Sequence, residues 1–203
     1  FVGTALLNEL LQRGHRVTAL ARDPAKLPLR EGLTVVQANA TDAAQVAQAV
    51  RGVDAVASAY NPGWTHPDLH DEFLRGSRAI TAGVKAAGVQ RLLVVGGAGS
   101  LYVAPGVQLV DTPQFPAEWK AGALAAREAL NLLCQESALQ WTFLSPPILL
   151  EPGERTGHYR LGTESPLMNG DQPGKISVAD LAVAIADELE APRHLQQRFT
   201  VAY

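Results

Sequence analysis

The chain has 203 residues, of which 47% are hydrophobic and 18% charged, and its formal net charge is −3. This size suits one globular domain and is too short for two, so we expect residues 1–203 to form a single domain. The chain has no block of basic residues, no stretch of the roughly 20 apolar residues that cross a bilayer and no charged-then-apolar leader, so we expect a cytoplasmic protein that binds neither nucleic acid nor membrane.

Segments typical of helices and of buried strands alternate along the chain. Leucines at helical spacing predict a first helix over residues 3–13, which ends at Gly14. Further helices are predicted from a cap at Thr41 or Asp42 to about residue 50, and over 68–87, 118–136 and 178–189, the last capped by Ser177. A turn or short helix is predicted over 23–26. The predicted strands cover residues 17–21, 34–38, 55–59, 91–95 and 141–145, with an edge strand at 198–203.

The only cysteine, Cys134, excludes an internal disulfide and fits a reducing compartment. It falls within an apolar run of the predicted fourth helix, so we expect it to be a small core residue rather than a nucleophile.

The alternation of strands and helices predicts an α/β fold, a Rossmann-type doubly wound parallel sheet with helices on both faces. Such sheets bind ligands beyond the C-terminal ends of their strands. Residues 153–176 are irregular and rich in glycine, and we expect them to form a flap on the substrate side of the cleft. The polar, Gly- and Pro-rich loops that would converge on this cleft are residues 22–26, 39–42, 60–67, 96–100 and 145–147.

An apolar run that ends in glycines is typical of a buried strand that reaches a ligand. The run is Val94-Val95-Gly96-Gly97-Ala98-Gly99-Ser100-Leu101. Glycines leave room for another molecule, and the hydroxyl of Ser100 can hydrogen-bond a carbonyl group or a nicotinamide. A tight turn with a solvated serine explains the same residues.

The chain begins Phe1-Val2-Gly3-Thr4 and, after the predicted first helix, continues with residues 13–24. These two segments resemble the opening of the atypical short-chain dehydrogenase/reductase superfamily of NAD(P)-binding Rossmann proteins. Within the superfamily, residues 94–101, 175–182 and 197–203 resemble the NADH-flavin reductase and biliverdin-reductase-B-like group. The resemblance implies that Gly3 is the last glycine of a G-x-x-G-x-x-G turn. It also implies a central first strand before Phe1, so we expect about ten further N-terminal residues in the intact protein.

Arg22 and its neighbours predict which coenzyme binds. Arginine at the end of this strand can hold a 2′-phosphate, whereas an acidic residue would bind the ribose of NAD(H). Arg22, with Lys26 one helical turn further on, therefore favours NADP(H), although a solvated surface arginine is the alternative. Asn39 and Ala40 match the adenine-contacting position of the superfamily, and asparagine can hydrogen-bond an adenine amine. The other residues assigned to the dinucleotide site are Gly3, Ala59, Tyr60, Gly97, Ser145 and Pro146.

The chain lacks the catalytic pair of most short-chain dehydrogenases, a Tyr-x-x-x-Lys sequence whose tyrosine protonates the substrate. Trp119 and Lys120 occupy the comparable region, and an indole cannot serve as a general acid. Flavin reduction does not need such an acid, because hydride passes directly from nicotinamide C4 to flavin N5. We therefore predict an NAD(P)H-dependent reductase of a flavin or a similar flat, quinone-like acceptor, with Ser100 as its catalytic polar group.

Four residues are expected to line the substrate pocket. They are His70, Tyr102, Trp119 and Tyr159, although ordinary packing explains the aromatic ones as well. His66 and His70 are spaced to share a metal ion, but Pro67 and the acidic residues beside them are what a helix start favours, so no metal site is predicted.

Two other functions stay open. A redox-sensing regulator that binds NADP(H) without turnover would also lack the Tyr/Lys pair. A sugar-nucleotide epimerase or dehydratase would need the missing tyrosine and usually a larger substrate domain. The sequence leaves open whether the protein is a monomer or a homodimer.

Overall fold

The computed structural model describes residues 1–203. It confirms every predicted helix and main strand, with bounds that agree to within about three residues. A short 3-10 helix, Pro24–Lys26, occupies the predicted turn. The α-helices are Val2–Gln12 (α1), Ala43–Ala49 (α2), Leu69–Ala86 (α3), Ala117–Leu133 (α4) and Val178–Glu190 (α5). The strands are Val17–Ala21 (β1), Leu33–Gln37 (β2), Ala55–Ser58 (β3), Arg91–Val95 (β4), Tyr102–Ala104 (β5), Val107–Gln108 (β6), Gln140–Ser145 (β7), Leu149–Glu151 (β8), Arg160–Gly162 (β9), Met168–Asn169 (β10), Gln172–Pro173 (β11), Lys175–Ser177 (β12) and Gln197–Ala202 (β13).

The main sheet has five strands in the order β3-β4-β7-β13-β9. Its first four strands are parallel, and β1 and β2 form a separate parallel pair. The register places Ser58 beside Val94 and Ser145 beside Thr200, so the parallel strands end at nearly the same level. The loops that follow β3, β4 and β7 therefore lie side by side at the C-terminal edge of the sheet.

Helices cover both faces of the sheet, with α1 and α5 on one face and α2, α3 and α4 on the other. Leu93 packs with Leu6 of α1, whereas its neighbour Leu92 packs with Val84 of α3. Because consecutive side chains of a strand point to opposite faces, a strand covered on both faces is apolar throughout. No helix is both long enough and apolar enough to span a membrane.

The prediction that the final strand lies at the edge of the sheet is wrong. β13 pairs with β7 on one side and, antiparallel, with β9 on the other. The prediction that residues 153–176 are irregular is confirmed for most of the segment, but it misses β9, the β10-β11 hairpin and most of β12. These strands have three residues or fewer, too short for a recognisable pattern of alternating residues.

Cys134 is exposed, which contradicts the prediction that it is a core residue. It is the C-terminal cap of α4, and the helix buries Leu130 and Leu133 instead. The apolar run of the sequence extends one residue beyond the buried face of the helix.

A buried carboxylate attaches the beginning of segment 153–176 to α5. Asp180 is fully buried and accepts hydrogen bonds from the backbone nitrogens of Thr156 (2.8 Å) and Gly157 (2.7 Å). The hydroxyls of Thr156 (2.6 Å) and Tyr203 (2.7 Å) donate to its other oxygen. Burial by itself would raise the pKa of Asp180, but these hydrogen bonds outweigh it and hold the pKa below its ordinary value.

Replacing Asp180 should reveal how strongly it holds the segment. We expect Asp180→Asn to lower the free energy of unfolding by about 2–3 kcal/mol near neutral pH, because an amide nitrogen would face donors instead of accepting from them. Since the folded pKa is depressed, the contribution of Asp180 is complete above the unfolded pKa of about 3.9 and is lost as the pH falls through the folded value. Urea unfolding at several acidic pH values measures this loss.

The exposed Asp171 of the same segment offers the matched control, Asp171→Asn, which should leave the stability nearly unchanged. The stability of the wild type should fall more steeply with acid than that of Asp180→Asn. Identical slopes for the two proteins would contradict the assignment.

Candidate functional site

The first turn of α1 lies against the end of β3. A Cβ atom on Gly3 would lie 3.9 Å from the Cβ of Ala59, so the helix begins close to this strand end. The side chain of Phe1 makes no capping hydrogen bond to α1, and the backbone N–H groups at the start of a helix are suited to bind an anion. The structure thus brings together Gly3 and Ala59, two of the residues predicted to bind the dinucleotide.

Arg22 follows β1 and is exposed. Burial raises the pKa of the Tyr60 hydroxyl, the charge of Glu72 raises it further, and the charge of Arg22 opposes both. Lys26 lies farther out, with its side chain 82% exposed and its ammonium 4.0 Å from the carboxylate of Asp23. Of the two predicted phosphate-binding cations, Arg22 acts electrostatically on Tyr60, another predicted site residue, whereas Lys26 lies near Asp23.

Asn39 follows β2 and stabilises its own turn. Its Oδ1 accepts hydrogen bonds from the backbone nitrogen (3.1 Å) and the hydroxyl (2.9 Å) of Thr41. With both lone pairs occupied, the side chain retains only its Nδ2 donor. An adenine ring nitrogen fits this donor, whereas an adenine amine would find no free acceptor there. Ala40, which follows, is half-buried.

The two glycines after β4 have different surroundings. A Cβ atom on Gly96 would lie 1.9 Å from Cζ of Phe143, because that ring packs directly under the turn. A Cβ atom on Gly97 would meet nothing closer than the Cβ of Ala126, at 3.8 Å. Gly96 therefore lacks a side chain because the ring of Phe143 fills the space next to it, whereas a small group would fit beside Gly97 without overlap.

Ser100 is buried, not solvated. It is 2% exposed, and Nη1 of Arg198 donates to both its carbonyl oxygen (2.8 Å) and its Oγ (2.9 Å). The same carbonyl also accepts from Nε2 of Gln108 (3.0 Å). Arg198 is itself 5% exposed, its Nη2 is paired with the carboxylate of Glu164, and its guanidinium lies 5.7 Å from the ring centroid of Tyr102.

Two hydroxyls near this arginine have no partner within the protein. Ser145 and Thr200 face each other across β7 and β13, and both are fully buried. Neither hydroxyl is hydrogen-bonded, nor is Nε of Arg198, which shares a face of β13 with Thr200. An unpaired buried polar group costs about 1–3 kcal/mol, so these atoms are available to a polar partner. Pro146, the next residue after β7, is buried as well.

Trp119 in the first turn of α4 packs edge-on against Trp64, with ring centroids 5.1 Å apart. Trp64 belongs to the loop that follows β3, so the pair lies at the C-terminal edge of the sheet. The two residues are 48% and 55% exposed and present apolar surface there. Trp119 was predicted from the sequence to line the substrate pocket, whereas Trp64 was not.

Tyr159 does not lie with the other predicted residues. Its hydroxyl donates to Asp187 in the last turn of α5, and Arg13 at the end of α1 pairs with the same carboxylate at 2.8 Å. Burial, and then Asp187, raise the pKa of this hydroxyl. Because α1 begins at the candidate site, its last turn lies about 15 Å away. The tyrosine thus joins α1 to α5, and its assignment to the substrate pocket finds no support in this geometry.

The two histidines stabilise helix α3. Nδ1 of His66 accepts a hydrogen bond from the backbone nitrogen of Asp68 at 3.1 Å, just before the helix begins. His70 lies 3.0 Å from the carboxylate of Asp71 and 3.7 Å from that of Glu128 on α4. His70 therefore faces the contact between α3 and α4.

Arg198 is the central residue of this site that the sequence analysis did not predict. A signal was present, because an arginine in the otherwise apolar strand Arg198-Phe199-Thr200-Val201-Ala202 must find partners when it is buried. The sequence does not identify these partners, because one of them, Ser100, is 98 residues away along the chain.

Comparison with known proteins shows the family. The sequence profile of the family described as NAD(P)H-binding matches residues 1–192. An uncharacterized protein of Bacillus subtilis, YwnB, is 40% identical over 204 residues, which cover 98% of this chain and 92% of YwnB.

Solved structures agree over the whole chain. A putative epimerase from Bacteroides thetaiotaomicron has a TM-score of 0.93 and 44% identity, covering 100% of this chain and 92% of that one. A putative NADH-flavin reductase from Streptococcus pneumoniae has a TM-score of 0.84 and 34% identity, covering 99% of this chain and 93% of that one.

The two glycines after β4 allow a matched test of the site's construction. Gly96→Ala should lower the free energy of unfolding by at least about 2 kcal/mol, because the new methyl group would overlap the ring of Phe143. Gly97→Ala should change it by less than about 1 kcal/mol, since its backbone φ of −139° suits any residue and its Cβ has room. Chemical denaturation measures both changes, and equal changes would refute the distinction.

Proposed function

The chain belongs to the NAD(P)H-binding family, and we propose that it is a reductase that transfers hydride directly from NAD(P)H to a flavin or a similar flat, conjugated acceptor. One observation at the C-terminal edge of the sheet carries the proposal. Gly97 there has room for a small group, Ser100 of the same loop is buried, and α4 contains no tyrosine. The Streptococcus pneumoniae protein, named for NADH-flavin reduction, supports this reaction class.

The residues present fit a nicotinamide coenzyme. The N–H groups at the start of α1 suit a pyrophosphate, and the absence of a side chain at Gly3 lets it approach beside Ala59. We assign the adenine to Asn39 and Ala40, and the nicotinamide end to Gly97 and to the residues Tyr60, Ser145 and Pro146. The coenzyme supplies the hydride, and the protein binds, orients and shields the reacting groups.

Direct hydride transfer depends mainly on holding two rings in contact, and this proximity supplies most of the acceleration. The half-exposed indoles of Trp64 and Trp119 offer apolar surface that suits a flat acceptor at the same edge. Tyr102, 38% exposed, lies on the strand that follows Ser100. We assign Ser100 to the acceptor as its polar contact, since no Tyr-x-x-x-Lys pair is available.

A second function is favoured by the burial of Ser100. A serine that is only 2% exposed is also consistent with a regulator that binds NADP(H) and senses its redox state without turnover. An epimerase, the activity in the name of the Bacteroides protein, is not proposed, because the chain lacks the tyrosine that such chemistry requires in the superfamily it resembles.

A turnover assay separates these functions. We expect the protein to consume NADPH, followed by its absorbance, only when FMN or a quinone is present. Lys120→Ala should retain turnover within about twofold, because the exposed Lys120 has no proton-transfer role. Coenzyme binding without turnover on any flavin or quinone would favour the regulator. Failure of protein fluorescence to respond to either coenzyme would contradict both functions.

We propose NADP(H) as the preferred coenzyme, with Arg22 contacting its 2′-phosphate. Arg22→Glu should weaken NADPH binding about 10- to 100-fold and NADH binding much less, because charge-assisted hydrogen bonds are lost only with the phosphate. The control Arg16→Glu makes the same charge change at an exposed residue just before β1 and should affect both coenzymes little. Equal weakening of NADPH and NADH by Arg22→Glu would refute the assignment.

A further inference from the structure

Arg198 joins two parts of the protein that are distant in sequence. Through Nη1 it holds Ser100, and through Nη2 it pairs with Glu164 of segment 153–176. We propose that Arg198 is a positioning residue that turns the Ser100 hydroxyl into a hydrogen-bond donor toward the acceptor. The inference rests on the proposed function and specifies what Ser100 does in it.

The geometry of the hydrogen bonds determines the direction of the Ser100 hydroxyl. A serine hydroxyl has one proton to donate, and a guanidinium has no acceptor. Because Nη1 of Arg198 donates to Oγ at 2.9 Å, the proton of Ser100 cannot point at the arginine. The carbonyl oxygen of Ser100 is already held by Arg198 at 2.8 Å and by Gln108 at 3.0 Å. The contact with Arg198 is the only hydrogen bond that the Ser100 hydroxyl makes within the protein, so its proton is left for another molecule.

The charge of Arg198 makes this donor stronger. A cation bonded to a hydroxyl oxygen polarises its O–H bond, and the effect is larger in a buried site than in water. In the reaction, hydride and its electron pair pass to the acceptor, which is reduced and gains negative charge, while the coenzyme is oxidised. A fixed donor backed by a cation stabilises that charge. Ser100 keeps its own proton, and solvent supplies the proton that completes the reduced acceptor.

Glu164 neutralises the arginine from the solvent side. Its side chain is 57% exposed, and its backbone oxygen accepts a hydrogen bond from the nitrogen of Tyr102 at 2.8 Å. Water screens an exposed carboxylate, whereas the Ser100 side of Arg198 is dry. The field of the arginine is therefore directed mainly at Ser100, and the ion pair holds segment 153–176 against the same loop.

Arg91 provides a matched comparison within the same sheet. It is 7% exposed, pairs with Glu188 at 3.3 Å and donates to the hydroxyl of Thr142 at 2.7 Å. Its Nε, like that of Arg198, has no partner. Arg91 begins β4 at the N-terminal edge of the sheet, so it reproduces the burial and pairing of Arg198 without contact with Ser100.

A double-mutant cycle tests the proposal with FMN and a neutral quinone as acceptors. Arg198→Met should lower kcat about 10- to 100-fold, with the NADPH dissociation constant within about twofold of the wild type, and Arg198→Lys should recover part of the loss. Ser100→Ala should cause a loss of similar size. The double variant should be no slower than Ser100→Ala alone, because Arg198 acts through that hydroxyl.

Controls separate positioning from stability. Arg91→Met should lower the thermal unfolding temperature at least as much as Arg198→Met and leave kcat within about twofold of the wild type. If Arg198→Met does not fold, Arg198→Lys and its double variant with Ser100→Ala form the same cycle. Losses in kcat that multiply in the double variant would overturn the proposal, as would an equal loss in Arg91→Met.

A measurement without turnover distinguishes failure of this inference from failure of the proposed function. If the wild type reduces no acceptor, the proposed function fails, and nitrogen NMR of the Arg198 guanidinium still tests the contact. Ser100→Ala should shift the Nη signals of Arg198 and speed rotation of that group, whereas Arg91 signals should not move. Unchanged Arg198 signals would overturn the positioning role.

Discussion

Burial of the main sheet on both faces is the constraint on which the rest of the structure depends. Leu92 and Leu93 are both fully buried although they point to opposite faces, so the interior of the sheet strongly favours apolar side chains. Most polar side chains and free backbone groups then emerge at the ends of the strands. Since the parallel strands end at nearly the same level, these groups collect along one edge. The candidate site is a consequence of this arrangement.

The few charged groups inside the protein connect it over long distances. Each of Asp180, Arg91 and Arg198 is less than 10% exposed and makes several hydrogen bonds to residues distant in sequence. Removing one partner of such a group typically costs about 3–5 kcal/mol, because the remaining charge stays buried and uncompensated. Asp180 and Arg198 both bind segment 153–176, at Thr156 and Glu164. The segment that contributes the antiparallel strand β9 is thereby also held against the Ser100 loop.

The proposed reduction does not require a tyrosine that acts as an acid. Hydride transfer between stacked rings requires a fixed geometry and a donor for the charge that develops, and neither demands proton transfer by a side chain. In the proposed reaction, these demands are assigned to the space at Gly97, the indole surface of Trp64 and Trp119, and the hydroxyl held by Arg198. The family to which the chain belongs binds NAD(P)H.

Local patterns in the sequence determined the helices, the main strands and the edge at which the site lies. Leucine spacing defined α1, an apolar run ending in glycines placed Ser100 after β4, and the end of β1 placed Arg22, because each of these features depends on neighbouring residues. Only the tertiary structure decided that Ser100 is buried under Arg198, that Tyr159 turns toward Asp187, and that β9 covers the final strand. These outcomes depend on contacts between residues far apart in the chain. A strand of three residues is too short for a recognisable pattern, and an arginine in a buried strand signals that it needs partners without identifying them.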